Sequence, residues 1–236
     1  NTDQLLGAFF QPIMFLVLFS AVFGGAINLS LPEGVTYLSF LMAGIIVQTV
    51  AFGSTTTALA ITNDLQKGIF DRFRSLPMSN LAVLNGHVVS DLFRNTISTV
   101  VMLLAGLVLG FRSSASLIDW IAITGILVLF TLAFSWLMAI MGVLAKSVEG
   151  VQWMSFIIIF PLTFASSAFV PTDGMNKYLK AFAENQPISQ VIEAVRALML
   201  GTPIGNHGWL AVFWCLFLLV IAVPIALILF KRKTTN

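Results

Sequence analysis

The chain reads as an all-α membrane protein of six transmembrane helices, with a short amphipathic helix between the second and third and a two-helix hairpin before the last. Three observations predict this. Hydrophobic residues make up 58% of the chain and charged residues 9%, with a mean hydropathy of +0.97. A soluble domain carries about 25% charged residues, so too few remain here to cover a water-facing surface. Six apolar runs approach the ~20 residues that a bilayer-crossing helix needs. The charges gather in a few polar stretches, the densest being DLQKGIFDRFRSLP, Asp64–Pro77.

The spans follow in order, within one domain covering residues 1–236. The first is about 10–27, with Pro12 near its start, where a proline is tolerated. A polar loop with Pro32 and Gly34 leads to the second, about 37–62. The others are about 88–111, 120–145, 151–170 and 209–230, and the chain closes on Lys231, Arg232 and Lys233. Backbone groups inside a bilayer must pair within the protein, so helices are the economical solution. Pro161 and Pro224 interrupt helical hydrogen bonding in the fifth and sixth spans. The sequence begins with Asn1 rather than Met, and an upstream segment is expected.

An even number of spans puts both ends on one side. Lys67, Arg72, Arg74, Arg94, Lys146 and the three tail residues fall on that side, against Arg112, Lys177, Lys180 and Arg196 on the other. The basic excess marks the first side, with both termini, as cytoplasmic. Trp120 and Trp209 then sit at the outer interface and Trp153 at the inner one, where amphipathic rings anchor.

At helical periodicity Asp64–Pro77 places Leu65, Ile69, Phe73 and Leu76 on one face and Asp64, Lys67, Asp71 and Arg74 on the other. Such a helix between two spans lies in the interface plane, apolar side down. Its charged face is a platform for a soluble partner, or alternatively an ordinary solvated connection. On the outer side, residues 171–207 predict a hairpin. Met175, Leu179 and Phe182 share one face of its first helix. Pro187 opens the second, with Ile188, Val191, Ile192, Val195, Leu198 and Met199 in a stripe opposite Ser189, Glu193 and Arg196, and Gly201 stops it. A lid and an outer-leaflet anchor both fit this pattern.

Several chemistries are excluded. There is no Gly-x-x-x-x-Gly-Lys-Ser/Thr nucleotide loop and no His-Glu-x-x-His or other metal spacing. His87 and His207 fall on opposite sides of the membrane, and the single Cys215 forms no internal disulfide. No basic stripe points to nucleic acid. No catalytic set is assigned. Asp91 and Arg94, three residues apart near the cytoplasmic start of the third span, can pair and snorkel, or transmit motion from the platform. Gln48, Thr49, Ser54, Thr55 and Thr56 make the second span the most polar. They fit helix–helix packing or the lining of a pathway. Ion-driven transporters carry ionisable groups near the midplane, and none is placed there by this reading. The chain looks like a pathway whose engine lies elsewhere.

The run DLQKGIFDRFRSLPMSNLAVLNGHVVSDLFRN, Asp64–Asn95, resembles the permease subunits of bacterial type-2 ABC exporters, their daunorubicin-resistance branch above all. The resemblance rests on Gly68, the Asp71-Arg72 pair, the Arg-Ser-Leu-Pro of Arg74 to Pro77, Gly86 and Asp91. FVPTDGMNKYLKAFAENQPISQVIEAVRALMLG, Phe169–Gly201, resembles the second hallmark of that family through Pro187 and Glu193-Ala194-Val195-Arg196.

The resemblance implies a six-span permease in the bacterial inner membrane, paired with a second or homologous permease copy and with two soluble ATP-binding subunits. Those subunits would hold ATP and Mg; the chain itself would hold no cofactor or metal. Asp64–Pro77 would be the coupling helix docked on the ATPase. There Gly68 would allow close approach, Arg72 and Arg74 would meet acidic groups and Phe70 and Phe73 would anchor, flanked by Asp64, Lys67, Asp71 and Pro77. The hairpin carrying Pro187, Glu193 and Arg196 would cap the outer end. The implied activity is export of a hydrophobic or amphipathic substrate such as a drug, antibiotic or lipid. A lipid-linked glycan is an alternative cargo, and a channel or secondary transporter not coupled to ATP an alternative class.

Overall fold

The computed structural model describes residues 2–28, 31, 32, 34–68 and 80–235. Those residues form α1 (Thr2–Ile27), α2 (Tyr37–Gly53), α3 (Thr55–Gln66), α4 (Asn80–Val108), α5 (Leu117–Leu144), α6 (Val148–Phe164), a single 3-10 turn (Thr172–Gly174), α7 (Lys177–Asn185), α8 (Pro187–Leu200) and α9 (His207–Thr235). Five stretches are long and apolar enough to cross a membrane: Phe10–Ile27, Tyr37–Gln66, Leu84–Val108, Leu117–Leu144 and His207–Lys233. The sixth apolar helix, α6, has 17 residues, the short end of the spanning range. The chain is a multi-pass membrane protein.

The helix ends follow local chemistry. Ser116 accepts from the Asp119 N–H while Asp119 accepts from the Ser116 N–H, a reciprocal cap that starts α5. The Ser147 hydroxyl accepts from Gly150 N–H to start α6. Pro187 occupies the first turn of α8. Gly201, at φ 66°, ends α8 in the left-handed region that suits glycine.

The core is built around α5, which packs against α3, α8 and α9, while α2 packs against α1, α4 and α8. Small residues allow the closest approaches. A Cβ on Gly142 would collide with the Ala58 backbone, and one on Gly44 with the backbone of Ala168. Thr62 donates to Gly142 O at 2.7 Å across the α3–α5 contact, and Tyr37 to Phe169 O at 2.8 Å. Such close backbone packing is the usual means of association where lipid removes the hydrophobic drive.

Four expectations need correction. First, the helix expected over Asp64–Pro77 does not run through Gly68: α3 carries Asp64 as its last turn and stops there, Gly68 taking φ 63°. The expected positions Phe70, Asp71, Arg72, Phe73, Arg74 and Pro77 lie outside the described residues. Second, the helix of the third span, α4, starts at Asn80, eight residues before the expected start of that span at 88.

Third, the fifth span ends at Phe164, six residues before Val170. Ser166 donates to Thr163 O at 2.5 Å and accepts from Ala168 N–H at 3.1 Å. That local serine turn takes over from the helical ladder. Fourth, α8 is buried on its polar side as well as its apolar stripe: Ser189 and Arg196 are both in the interior. It packs between α2, α5 and α9 rather than lying as an amphipathic helix on a surface.

Candidate functional site

Five helices enclose a cleft of ≈ 490 Å³, within the size of small-molecule sites. From α2 and α3 come Gln48, Thr49, Phe52, Gly53, Thr55, Thr56 and Leu59. The inner face of α4 supplies Arg94, Asn95 and Ser98, the first helix Gln11, Pro12 and Phe15, and α6 Gln152, Ser155, Phe156, Phe160 and Phe164. The α6 wall is a ladder of rings one helical turn apart, with centroids 4.8 Å (Phe156–Phe160) and 4.2 Å (Phe160–Phe164) apart. It continues through Phe164–Phe169 and Phe169–Phe19, each 4.8 Å. The cleft is therefore lined by an aromatic ladder from α6 and by polar groups from α2, α3 and α4.

The second span is interrupted at Ser54, between α2 and α3. Gly53 at the break has no Cβ, and the Asn95 amide occupies the space a Cβ would need. Asn95 is only 2% exposed, and neither of its amide atoms has a hydrogen-bond partner. The Thr55 hydroxyl is in the same condition. Leaving such groups unpaired costs about 1–3 kcal/mol each.

Of the five polar residues of the second span, Gln48, Thr49, Thr55 and Thr56 line the cleft. Ser54 does not. It is fully buried on the α5 side, donating to Val50 O at 2.9 Å.

Asp91 and Arg94 separate instead of pairing. Among the ion pairs of the described residues, His87–Asp64, Lys180–Asp173, Lys180–Glu184 and Arg196–Glu193, theirs is absent. Arg94 turns to the cleft. Asp91, 2% exposed, accepts from Ser135 of α5 at 2.5 Å and from Thr56 of α3 at 2.7 Å. Because α4 begins at Asn80, both residues sit well inside the helix rather than at its start. Two hydroxyls satisfy the carboxylate, so it has no need of the guanidinium.

Arg196 is the centre of a second buried polar knot. It donates to Phe40 O at 3.1 Å, Ser167 O at 2.6 Å and Glu193 at 2.5 Å, and lies 3.7 Å from the Phe40 ring centroid. It thereby ties α8 to α2 and to the chain leaving α6. Pro187 starts the same helix. The 3-10 turn is clamped to α7 by Lys180, 2.6 Å from Asp173 and 3.6 Å from Glu184, and Asp173 raises the Lys180 pKa above its ordinary value.

At the other end of the molecule, Asp64 meets His87 at 3.1 Å, Gln66 donates to Lys146 O at 2.9 Å, and Lys233 donates to Ala145 O at 3.0 Å. The end of α3, the start of α4, the α5–α6 turn and the tail of α9 thus meet in one cluster. Lys67 and Gly68 end α3 beside it. Among the described residues no group of three His, Cys, Asp or Glu could hold a metal.

Sequence reasoning missed Asn95, Ser98, Gln11, Gln152 and the ring ladder as parts of one site. A signal was present: Asp91, Arg94, Asn95 and Ser98 share one face of a helix, and Phe156, Phe160 and Phe164 repeat every fourth residue.

Residues 1–200 match the family model described as ABC-2 type transporter. The chain belongs to that family. As an ABC-2 permease it is a transport component and not a catalytic enzyme. It is 32% identical to the daunorubicin resistance ABC transporter permease protein DrrB1 of Streptomyces coeruleorubidus, over 99% of this chain and 81% of that protein. It is 30% identical to the probable doxorubicin resistance ABC transporter permease protein DrrC of Mycobacterium tuberculosis, over 98% and 83%. Nodulation protein J of Rhizobium meliloti is 23% identical over 87% and 77%.

Proposed function

We propose that this ABC-2 permease is the membrane-spanning half of an ATP-driven exporter that moves a hydrophobic or amphipathic compound, such as a drug, antibiotic or lipid, out of the cell. The observation that carries the reading is the cleft: an aromatic ladder together with hydroxyls and amides inside a membrane-spanning body. A route for an amphiphile needs both surfaces at once. The names of the 32% and 30% identical relatives, resistance permeases for daunorubicin and doxorubicin, point the same way.

In this reading the engine is a pair of soluble ATP-binding subunits that hold ATP and Mg, and the permease acts as a dimer, with itself or a homologue, in the bacterial inner membrane with both termini cytoplasmic. The ATPase would dock near Asp64, Lys67 and Gly68 and on the segment through Pro77. The cluster joining α3, α4, the α5–α6 turn and α9 supports this, because a push on the end of α3 there reaches several spans directly. The α7–α8 pair would cap the opposite end.

The test is reconstitution of the permease with its ATP-binding subunit in inverted vesicles, with ATP supplied outside, on the exposed cytoplasmic face. Uptake of a lipophilic fluorescent amphiphile that stops when ATP is replaced by a non-hydrolysable analogue is expected. Uptake that ignores ATP and follows an imposed pH gradient would overturn the coupling. That outcome would favour a second reading, ion-coupled transport, for which the intramembrane Asp91 is the specific observation.

A further inference from the structure

The polar groups of the cleft are neutral with one exception. Among the described residues lining it, Arg94 alone carries a formal charge. The nearest acid on its own helix, Asp91, is one turn away, buried, held by Thr56 and Ser135, and not in ion-pair contact with the guanidinium. Among the described residues no carboxylate from any other helix borders the cleft. A cationic ligand placed there would meet a like charge in a low-dielectric setting, whereas an anionic one would be attracted. Guanidinium also matches carboxylate and phosphate oxygens through paired N–H donors.

A second, independent observation points to a ligand. Asn95 adjoins Arg94 on the same helix, is 2% exposed, borders the cleft, and has neither amide atom paired. A buried amide in that condition gains from any ligand that brings a donor and an acceptor. The ring ladder of Phe156, Phe160 and Phe164 lines the same cleft. The sign of the charge, the free amide and the aromatic wall together specify one chemistry.

We propose that the cleft is a binding site for an amphiphile bearing one carboxylate or phosphate, its anionic head on Arg94, a hydrogen-bonding group on Asn95 and its apolar body against the α6 ladder. This rests on reading the cleft as the transport route and adds the substrate class. The anionic group can belong to a membrane phospholipid or to a separate small amphiphile.

The experiment uses the full chain with its ATP-binding subunit in phosphatidylcholine nanodiscs, titrated with pyrenedecanoate and with its pyrenedecylammonium counterpart, each corrected against empty discs. Pyrenedecanoate is expected to bind at least about tenfold more tightly, the size of one charge-assisted contact. Arg94→Glu should reverse the preference, Arg94→Lys should keep its sign, and Asn95→Ala should weaken both probes. Equal affinities, tighter binding of the ammonium probe or no binding of either by the wild type overturns the proposal without recourse to any variant. So does an unchanged preference in an Arg94→Glu protein that melts like the wild type.

Competition identifies the source. Displacement by phosphatidylglycerol added to the discs assigns the site to a lipid headgroup, displacement by decyl phosphate alone assigns it to a small amphiphile, and displacement by neither overturns the site. ATP-driven uptake of the ammonium probe alone would leave export standing and sink this inference. Selective binding of pyrenedecanoate with no transport of either probe would do the reverse.

Discussion

Ser135 of α5 donates its hydroxyl to Asp91 of α4 at 2.5 Å, and Thr56 of α3 donates to the other carboxylate oxygen at 2.7 Å. One acidic side chain therefore holds three helices together in the interior of the bundle. Asp91→Ala would leave the Ser135 hydroxyl with only a 3.5 Å contact to Ser54 and turn the Thr56 hydroxyl back to Gly53 O, undoing the link between three helices. It should cost about 1–3 kcal/mol of stability, while Asp91→Asn, which keeps one acceptor, should cost less. Ser135→Ala alone should cost about 1 kcal/mol, in the range of single interhelical hydrogen bonds in membranes. Thermal melting of the purified permease in detergent checks the order; an Asp91→Asn protein less stable than Asp91→Ala would contradict it.

Arg196 makes a heavier demand, because it is charged, 5% exposed, and bonded to Phe40 O within α2 and to Ser167 O beyond the end of α6 as well as to Glu193. Removing it leaves Ser167 O without this donor and Glu193 without its counter-charge, and takes the second donor from Phe40 O. Arg196→Ala should destabilise by about 3–5 kcal/mol, the cost of breaking a buried pair. Arg196→Lys keeps the charge but not the planar fork or the stacking on Phe40, and should recover only part of the loss. Glu193→Gln should be the mildest of the three, since Glu193 is one-third exposed. Expression level and melting temperature of the three variants report this ranking.

Gly142 and Gly44 set how closely helices approach. A methyl group on either would enter the backbone of Ala58 or Ala168, which cannot swing aside as a side chain can. Gly142→Ala and Gly44→Ala should each lose about 1–3 kcal/mol by overpacking. Gly125→Ala is the control: nothing lies within 4 Å of a Cβ there. It should be neutral or slightly stabilising, since alanine favours the helix. Equal melting temperatures for Gly142→Ala and Gly125→Ala would contradict the close contact.

The apolar helices were legible because each is written over its whole length. α5 and α9 carry 28 and 29 residues with few charges, and no local choice can hide that. The ends were less legible. Ser166 stops α6 by a side-chain turn that competes with the helix, and nothing in the hydropathy of FASSAFV marks which serine does so. Asp91 and Arg94 illustrate the site-level difficulty. Three-residue spacing allows an ion pair, but hydroxyls contributed by α3 and α5, 35 and 44 residues away in the chain, decide otherwise. For Asn95 the helix face shared with Arg94 and Ser98 was legible, but its packing against Gly53 on another helix was not. The polar second span was read as either packing or lining, and the break at Ser54 splits it between the two.

That split gives the last prediction. Gln48 and Thr55 face the cleft, whereas Ser54, one residue from Thr55, is fully buried toward α5 and bonds within its own span. Gln48→Leu and Thr55→Val keep the approximate shape of the wall and remove its hydrogen-bonding groups. Each should lower ATP-dependent uptake of the amphiphile by about two- to tenfold, the worth of one hydrogen bond; neither should lower the melting temperature, and Thr55→Val should raise it by removing a buried hydroxyl that has no partner. Ser54→Ala should leave uptake near the wild-type level, because the group it removes never reaches the cleft. Uptake in inverted vesicles, normalised to permease content, separates the two sides of the span. If Ser54→Ala lowered uptake as much as Thr55→Val at equal stability, the cleft would lose its standing as the route.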